Sequence, residues 1–301
     1  MTKLVVVAGP TASGKSALAR ALARKFNGAI VSADSMQIYR GLDIGTAKEA
    51  LSERQGLDYF MVDLIPPEGE FSAAEYAVKA SEAVSDITKA GKLAVVAGGT
   101  GLYIDALLYP LNFSEAPKNA EIRLKLEAEA RDEGLDCLYE RLKAVDSASA
   151  EKISPSDKKR IIRALEIYLA TGRPKSEQKD ERKPRYDYLM LGKSMERPVL
   201  YERINQRVDA MFETGLMSEV NALRERYGNK LFDFQSMQAI GYKEFKHYFE
   251  GTFSLAELKE LIKKNTRNYA KRQLTWFNKT DINWVADEKE AFKLTEEFLR
   301  K

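Results

Sequence analysis

The sequence predicts an α/β fold: a P-loop-type parallel sheet flanked by helices, with an all-helical insertion. Three observations lead there. The apolar strand Leu4-Val5-Val6-Val7-Ala8 runs into Gly9-Pro10-Thr11-Ala12-Ser13-Gly14-Lys15-Ser16, which fits G-x-x-x-x-G-K-[ST], and a helical run over residues 17–25 follows. Short apolar runs then recur at 29–32, 59–65, 93–97, 188–192 and 282–285, mostly separated by helical stretches, as in a parallel sheet with crossover helices. Between residues 114 and 185 that alternation stops and only helical patterns remain. The expected organisation is a core of residues 1–113 and 186–301, with residues 114–185 as the insertion.

Each element has a local cause. Asn27-Gly28 ends the first helix and residues 29–32 form the second strand. Residues 59–65 read as a third strand stopped by Pro66-Pro67, and Ser72-Ala73-Ala74-Glu75 is a capping box opening a helix to Gly91. Strand 93–97 runs into Gly98-Gly99-Thr100-Gly101. In the insertion, Asn119 caps a helix over 120–133, a second spans 136–145, and a third runs over 158–171 to Gly172-Arg173-Pro174. Residues 175–184 are polar and charged, as an exposed loop would be. Helices follow at 198–214 and 216–227, and residues 238–244 lie in or beside another. The capping box Ser254-Leu255-Ala256-Glu257 opens a long helix reaching Phe277, and 282–285 form an edge strand.

With 44% hydrophobic and 31% charged residues, the composition is that of a globular protein able to bury a core. The chain lacks the ~18-residue apolar stretch of a membrane span. Residues 1–3 lead directly into the first strand, and removing a leader there would destroy the phosphate loop, so a cytoplasmic, monomeric protein is expected. One cysteine, Cys137, excludes an internal disulfide and a cysteine zinc cluster. The only histidine, His247, sits among aromatics as a packing residue, which leaves a carboxylate as the base.

Net charge is only +3, but its distribution is uneven. Residues 158–185 carry ten Lys/Arg against four Asp/Glu, and residues 259–279 carry seven against one. Two local basic stretches fit a polyanion. The phosphate loop offers backbone N–H groups, a helix N-terminus, Lys15 for the outer phosphate and Ser16 for Mg²⁺, without saying which phosphate compound binds. Asp34 and Gln37 follow the second strand, where ligand-facing groups gather, although Asp34 or Ser35 could equally cap a turn. A nucleotide-hydrolysing P-loop protein usually ends the strand at 93–97 with a carboxylate for the metal, and here Gly98-Gly99-Thr100-Gly101 stands instead. Those glycines either admit a bulky substrate or shape a plain turn. Arg267, Lys271, Gln273 and Trp276 give the last long helix an RNA-facing character, while Tyr269, Trp276 and Phe277 are expected in the core.

Taken together, residues 9–16, Asp34-Ser35-Met36-Gln37-Ile38-Tyr39-Arg40, Gly45-Thr46-Ala47-Lys48, 71–75, 98–103, 160–174, part of 203–223, 238–244 and 266–277 resemble the tRNA dimethylallyltransferases, in that family's order across nearly the whole chain. A pair of histidines frequent in the family near residues 58–61 is absent. The resemblance implies transfer of a five-carbon prenyl group from dimethylallyl diphosphate to N6 of adenosine 37 in tRNA, with Mg²⁺ required and the insertion gripping the anticodon stem-loop. It further implies that Asp34 accepts the N6 proton, with Thr11 near the bridging oxygen and Lys15 and Arg163 on the diphosphate. Ser35, Met36 and Gln37 would hold the base, and Thr100, Arg123, Lys159, Arg160, Gly241, Arg267, Lys271 and Arg272 would meet the RNA. Rival readings are a nucleotide or small-molecule kinase, a prenyltransferase of free adenine nucleotides, and a GTPase-like RNA switch using Asn278-Lys279-Thr280-Asp281.

Overall fold

The structure is a computed structural model that describes residues 1–54, 56–110, 119–177 and 183–301. Its elements, in chain order, begin with β1 (Lys3–Ala8), α1 (Lys15–Lys25), β2 (Gly28–Ser32), α2 (Leu51–Arg54), β3 (Tyr59–Phe60), α3 (Ala73–Lys89), β4 (Leu93–Gly98) and α4 (Gly101–Leu108). Then come α5 (Ala120–Asp132), α6 (Leu135–Val145), α7 (Ser147–Ala150) and α8 (Lys158–Thr171). The chain closes with β5 (Asp187–Lys193), α9 (Arg197–Glu213), α10 (Leu216–Tyr227), α11 (Phe245–Phe249), α12 (Leu255–Phe277), β6 (Asn283–Val285) and α13 (Glu288–Arg300).

All six strands are parallel, in the order β3-β2-β4-β1-β5-β6. β1 sits between β4 and β5, its last five residues fully buried, as a two-sided parallel strand demands. Leu18, Leu22, Val95, Leu191 and Val285 pack with it in one core. Both capping boxes form, Ser72 with Glu75 and Ser254 with Glu257, and each fixes the start of a long helix.

The chain divides into two compact units, Met1–Leu108 with Pro184–Lys301 and, separately, Tyr109–Lys183. Within the first unit, the Arg185 amide donates to the Leu108 carbonyl at 2.8 Å, so the chain leaves and re-enters that unit at adjacent points. The second unit is helical throughout its described residues, with Leu126, Leu138, Leu142, Ile161 and Leu165 as its core. The expected insertion boundary at 113/114, and residues 178–182 of the expected charged loop, lie outside the described residues.

The structure departs from the sequence reading at the third strand and at the C-terminus. The third strand stops at Phe60, because Met61 and Asp63 take left-handed backbone conformations (φ 63° and 56°). Lys48 binds the Asp63 carboxylate at 2.6 Å and Arg40 donates to the carbonyls of Asp63 and Leu64, which holds this segment as a loop. Residues 238–244 lie beside α11, as expected: Gln238 ends a short 3-10 turn and the residues up to Glu244 are turns leading into the helix, with Gly241 at φ 96°. The C-terminal helix α13 was not anticipated; Ala291 and Thr295 are its buried positions, four residues apart.

Residues 98–101 are glycine-rich because the chain packs against itself there. A β-carbon on Gly98 would fall on the Ala33 backbone, one on Gly99 on the Gln273 amide, and one on Gly101 on the Trp276 indole. The protein's own atoms fill the room beside these glycines. Gly98→Ala should therefore lower stability by about 2 kcal/mol, since a rigid backbone carbonyl must yield. Urea unfolding of the two proteins, compared at equal slope, measures the difference.

Candidate active site

The phosphate loop is shaped by left-handed residues. Gly14 caps α1 at φ 88°, and Ala12, a residue with a side chain, is held at φ 63°. Ala12 is buried against Leu200, Ile204 and Ala270, which sit on α9 and α12, and this packing holds the strained position. Thr11 donates its amide to Gln273 Oε1 at 2.9 Å, and Gln273 Nε2 donates to the Gly99 carbonyl at 2.9 Å.

Cations gather round this loop. Lys15 donates to the Pro10 carbonyl at 3.2 Å, and Arg207 reaches the Thr11 hydroxyl at 3.5 Å. Lys193, at the end of β5, and Arg203, one turn before Arg207 on α9, both come within 4.0 Å of where a β-carbon on Gly14 would stand. None of these four side chains is in a salt bridge among the described residues. The crowding is visible in their acidities. Burial brings the Lys15 ammonium down to about 8, with the Asp34 charge opposing and Arg207 assisting. Burial and then the Arg203 charge hold Arg207 below its ordinary value. Ser13 Oγ is also buried beside Gly9 with no partner among the described residues. A loop with this much positive charge and no carboxylate in salt-bridge contact with it among the described residues suits an anion.

Thr11, Lys15 and Arg207 form one end of a cavity of about 280 Å³, and Asp34 with Ser35 and Met36 lies in the same cavity. Asp34 Oδ1 accepts the Met36 amide at 2.9 Å, which fixes the carboxylate at the end of β2. Thr100 Oγ1 accepts the Ser35 amide at 3.1 Å and so supports that turn from β4. Val208, Met211, Ile240 and Ile262 supply an apolar wall, and Tyr269, Arg272 and Gly241 complete the lining. Burial, followed by the charge of Asp34, pushes the Tyr269 hydroxyl up to about 12, which keeps it neutral. The opposite rim, Gly45-Thr46-Ala47, is anchored by Glu219. Its carboxylate accepts the amides of Asp43 (2.9 Å), Ile44 (2.7 Å) and Gly45 (3.3 Å) and the Tyr242 hydroxyl (2.6 Å).

The structure thus brings together Thr11, Lys15, Asp34, Ser35, Met36, Gly241 and Arg272. Gln37 is otherwise engaged: its amide accepts from Ser32 Oγ and donates toward the carbonyls of Thr46 and Ala47. Arg267 binds Asn205, and Lys271 is exposed. In the helical unit, Arg123 and Arg163 both bind the fully buried Glu166, at 2.7 and 3.0 Å. Burial alone would raise the Glu166 carboxyl, but hydrogen bonds from Arg123, Asn119 and Arg163 hold it below its ordinary value. Lys159 and Arg160 are exposed on the first turn of α8. His247 is exposed and stacks on Phe253, 5.1 Å between ring centres. Of the aromatics expected in the core, only Phe277 is buried; Tyr269 lines the cavity and Trp276 is 41% exposed.

Sequence reasoning missed Lys193, Arg203 and Arg207 as site residues. Lys193 ends a parallel strand, where functional groups collect, and that position was a usable signal. Arg203 and Arg207 sit beside the buried Leu200, Ile204 and Val208 on one helix, which leaves Arg207 half-buried and Arg203 exposed at its edge. Nothing local flags Glu219, whose partners lie more than 20 residues away in sequence.

Known proteins share this architecture along its length. The family model described as IPP transferase matches residues 37–280. The chain belongs to this family. It is 48% identical over 289 residues to a tRNA dimethylallyltransferase of Thermoanaerobacter pseudethanolicus, covering 94% of this chain and 91% of that protein. With the tRNA dimethylallyltransferase of Acetivibrio thermocellus it shares 44% over 304 residues, covering 100% and 96%. Among solved structures, a tRNA delta(2)-isopentenylpyrophosphate transferase from Staphylococcus epidermidis is 42% identical with a TM-score of 0.73, each chain covered completely. A eukaryotic dimethylallyltransferase acting on tRNA is 30% identical with a TM-score of 0.87, covering 100% of this chain and 80% of that one.

Because the Lys15 ammonium titrates at about 8, an anion in the loop should bind best below that pH and weaken as pH rises through it. Calorimetric titration with pyrophosphate across this range, using Lys15→Arg as the comparison, checks the point. In that variant the charge does not titrate, and the break at about pH 8 should vanish.

Proposed function

We propose that this IPP transferase moves the dimethylallyl group of dimethylallyl diphosphate to N6 of adenosine 37 in tRNA, releasing pyrophosphate. The observation that carries the reading is that unpaired phosphate-loop cations and the Asp34 carboxylate share one cavity. The nitrogen–carbon bond forms as the carbon–oxygen bond to the diphosphate breaks. The N6 proton passes to Asp34, whose Oδ2 has no hydrogen-bond partner among the described residues. Negative charge growing on the leaving group falls to the loop amides, the Thr11 hydroxyl, Lys15 and Arg207, with Arg203 and Lys193 behind them. Arg207 rather than Arg163 takes the arginine role, because Arg163 is bound to Glu166.

Adenosine must leave the loop stack to reach a buried electrophile. Tyr269 and Arg272 offer it a ring and a guanidinium in the cavity, with the arginine 5.7 Å above the tyrosine ring. Lys158, Lys159 and Arg160 crowd the N-terminal turn of α8, where the helix dipole disfavours cations. A polyanion relieves that repulsion, which fits a grip on the anticodon stem-loop.

Mg²⁺ fits as an ion held mainly by the substrate. The described residues contain no cluster of three or more His, Cys, Asp or Glu able to bind a metal. Ser16 Oγ would be the protein's ligand, with diphosphate oxygens and water supplying the rest, as this ion prefers. Bound there, it would neutralise charge on the leaving group. No helix among the described residues is long and apolar enough to cross a membrane, and the reading carries a cytoplasmic, monomeric enzyme with it.

Mass analysis of unmodified tRNA incubated with the protein and either dimethylallyl diphosphate or ATP tests the assignment. Prenylated adenosine is expected with the first, and a phosphorylated product with ATP would favour the kinase. Asp34→Asn should lose about 10³-fold in turnover while binding tRNA normally. Near-normal turnover in that variant would remove Asp34 from the base role.

A further inference from the structure

Gln273 sits in the wall of the cavity and holds two of the segments that shape it. It is buried, 5% exposed, on α12. Both ends of its amide are committed, one to the Thr11 amide and the other to the Gly99 carbonyl. Gly99 has no β-carbon to spare, since one would collide with Gln273 Nε2. A buried amide with directed bonds at both ends fixes its partners more tightly than apolar packing could.

Its grip falls where the loop is least able to hold itself. Thr11 precedes Ala12, the non-glycine residue at φ 63°, and carries the hydroxyl that meets Arg207. By accepting the Thr11 amide, Gln273 takes one N–H out of the phosphate-binding set and turns the remaining loop relative to Arg207. On the same helix Tyr269, one turn earlier, and Arg272, the preceding residue, also line the cavity. We propose that Gln273 is a positioning residue that sets Thr11 against Arg207 and thereby shapes the diphosphate subsite. This rests on the prenyl-transfer reading above.

The test replaces the amide by an apolar isostere, Gln273→Met, and separately displaces it with Gly99→Ala. In both variants the KM for dimethylallyl diphosphate and the inhibition constant for pyrophosphate should rise about ten-fold, the effect of losing one or two buried hydrogen bonds. The dissociation constant for tRNA, measured without the prenyl donor, should stay within about two-fold of wild type. Rates are normalised to the folded fraction from thermal melts. A merely structural role would lower the folded fraction and leave both constants unchanged, and that result would overturn the proposal. If wild-type protein made no prenylated tRNA, the failure would lie in the underlying reading. Pyrophosphate inhibition, which needs no tRNA, would still judge Gln273.

Discussion

Positive charge held out of water without its counter-charge is the condition on which this site depends. Lys15, Lys193, Arg203 and Arg207 converge on one loop, and burial already weakens the hold of Lys15 and Arg207 on their protons. Such crowding costs free energy in the ligand-free protein, because Lys15 and Arg207 are partly desolvated and repel each other. The fold bears that cost through parts that have nothing else to do there. The central strand β1 is locked between two neighbours, and Ala12 is wedged between α9 and α12. An anion with several charges would reverse the balance.

The second constraint concerns the placement of a single carboxylate. Asp34 stands at the end of β2, two strands from β1 in sheet order, and the turn beneath it is supported by Thr100 from β4. Three parallel strands therefore deliver the loop, the Asp34 carboxylate and its support to one edge of the sheet. Neighbouring tyrosines are pushed toward the neutral form by burial and by the Asp34 charge, so they do not compete as bases. Glu219 works from the far side by gathering four donors onto one carboxylate and fixing the rim at residues 43–45.

How much of this could be read from the chain follows from the range of each interaction. β1, the phosphate loop, both capping boxes and the helices of the insertion are written in contiguous residues, and they stand as expected. The third strand was overestimated because an apolar run does not reveal that Met61 and Asp63 turn left-handed to meet Lys48 and Arg40. Glycines 98–101 were legible as a demand for closeness, but only the fold says that the close neighbours are Ala33, Gln273 and Trp276. Arg163 and Arg207 mark that limit. Both are helical arginines among apolar residues; Arg163 has Glu166 three residues on along the same helix, a pairing the spacing allows, whereas only the third dimension gives Arg207 to Thr11.

The crossing at Leu108 and Arg185 has its own implication. One backbone hydrogen bond ties the two points where the chain leaves and re-enters the core unit. The connection between α4 and β5 is therefore already closed before the helical unit is counted. That unit hangs from a seam at which a short turn would serve as well, with a separate apolar core of its own. Its size and its surface can change over evolutionary time without disturbing the sheet.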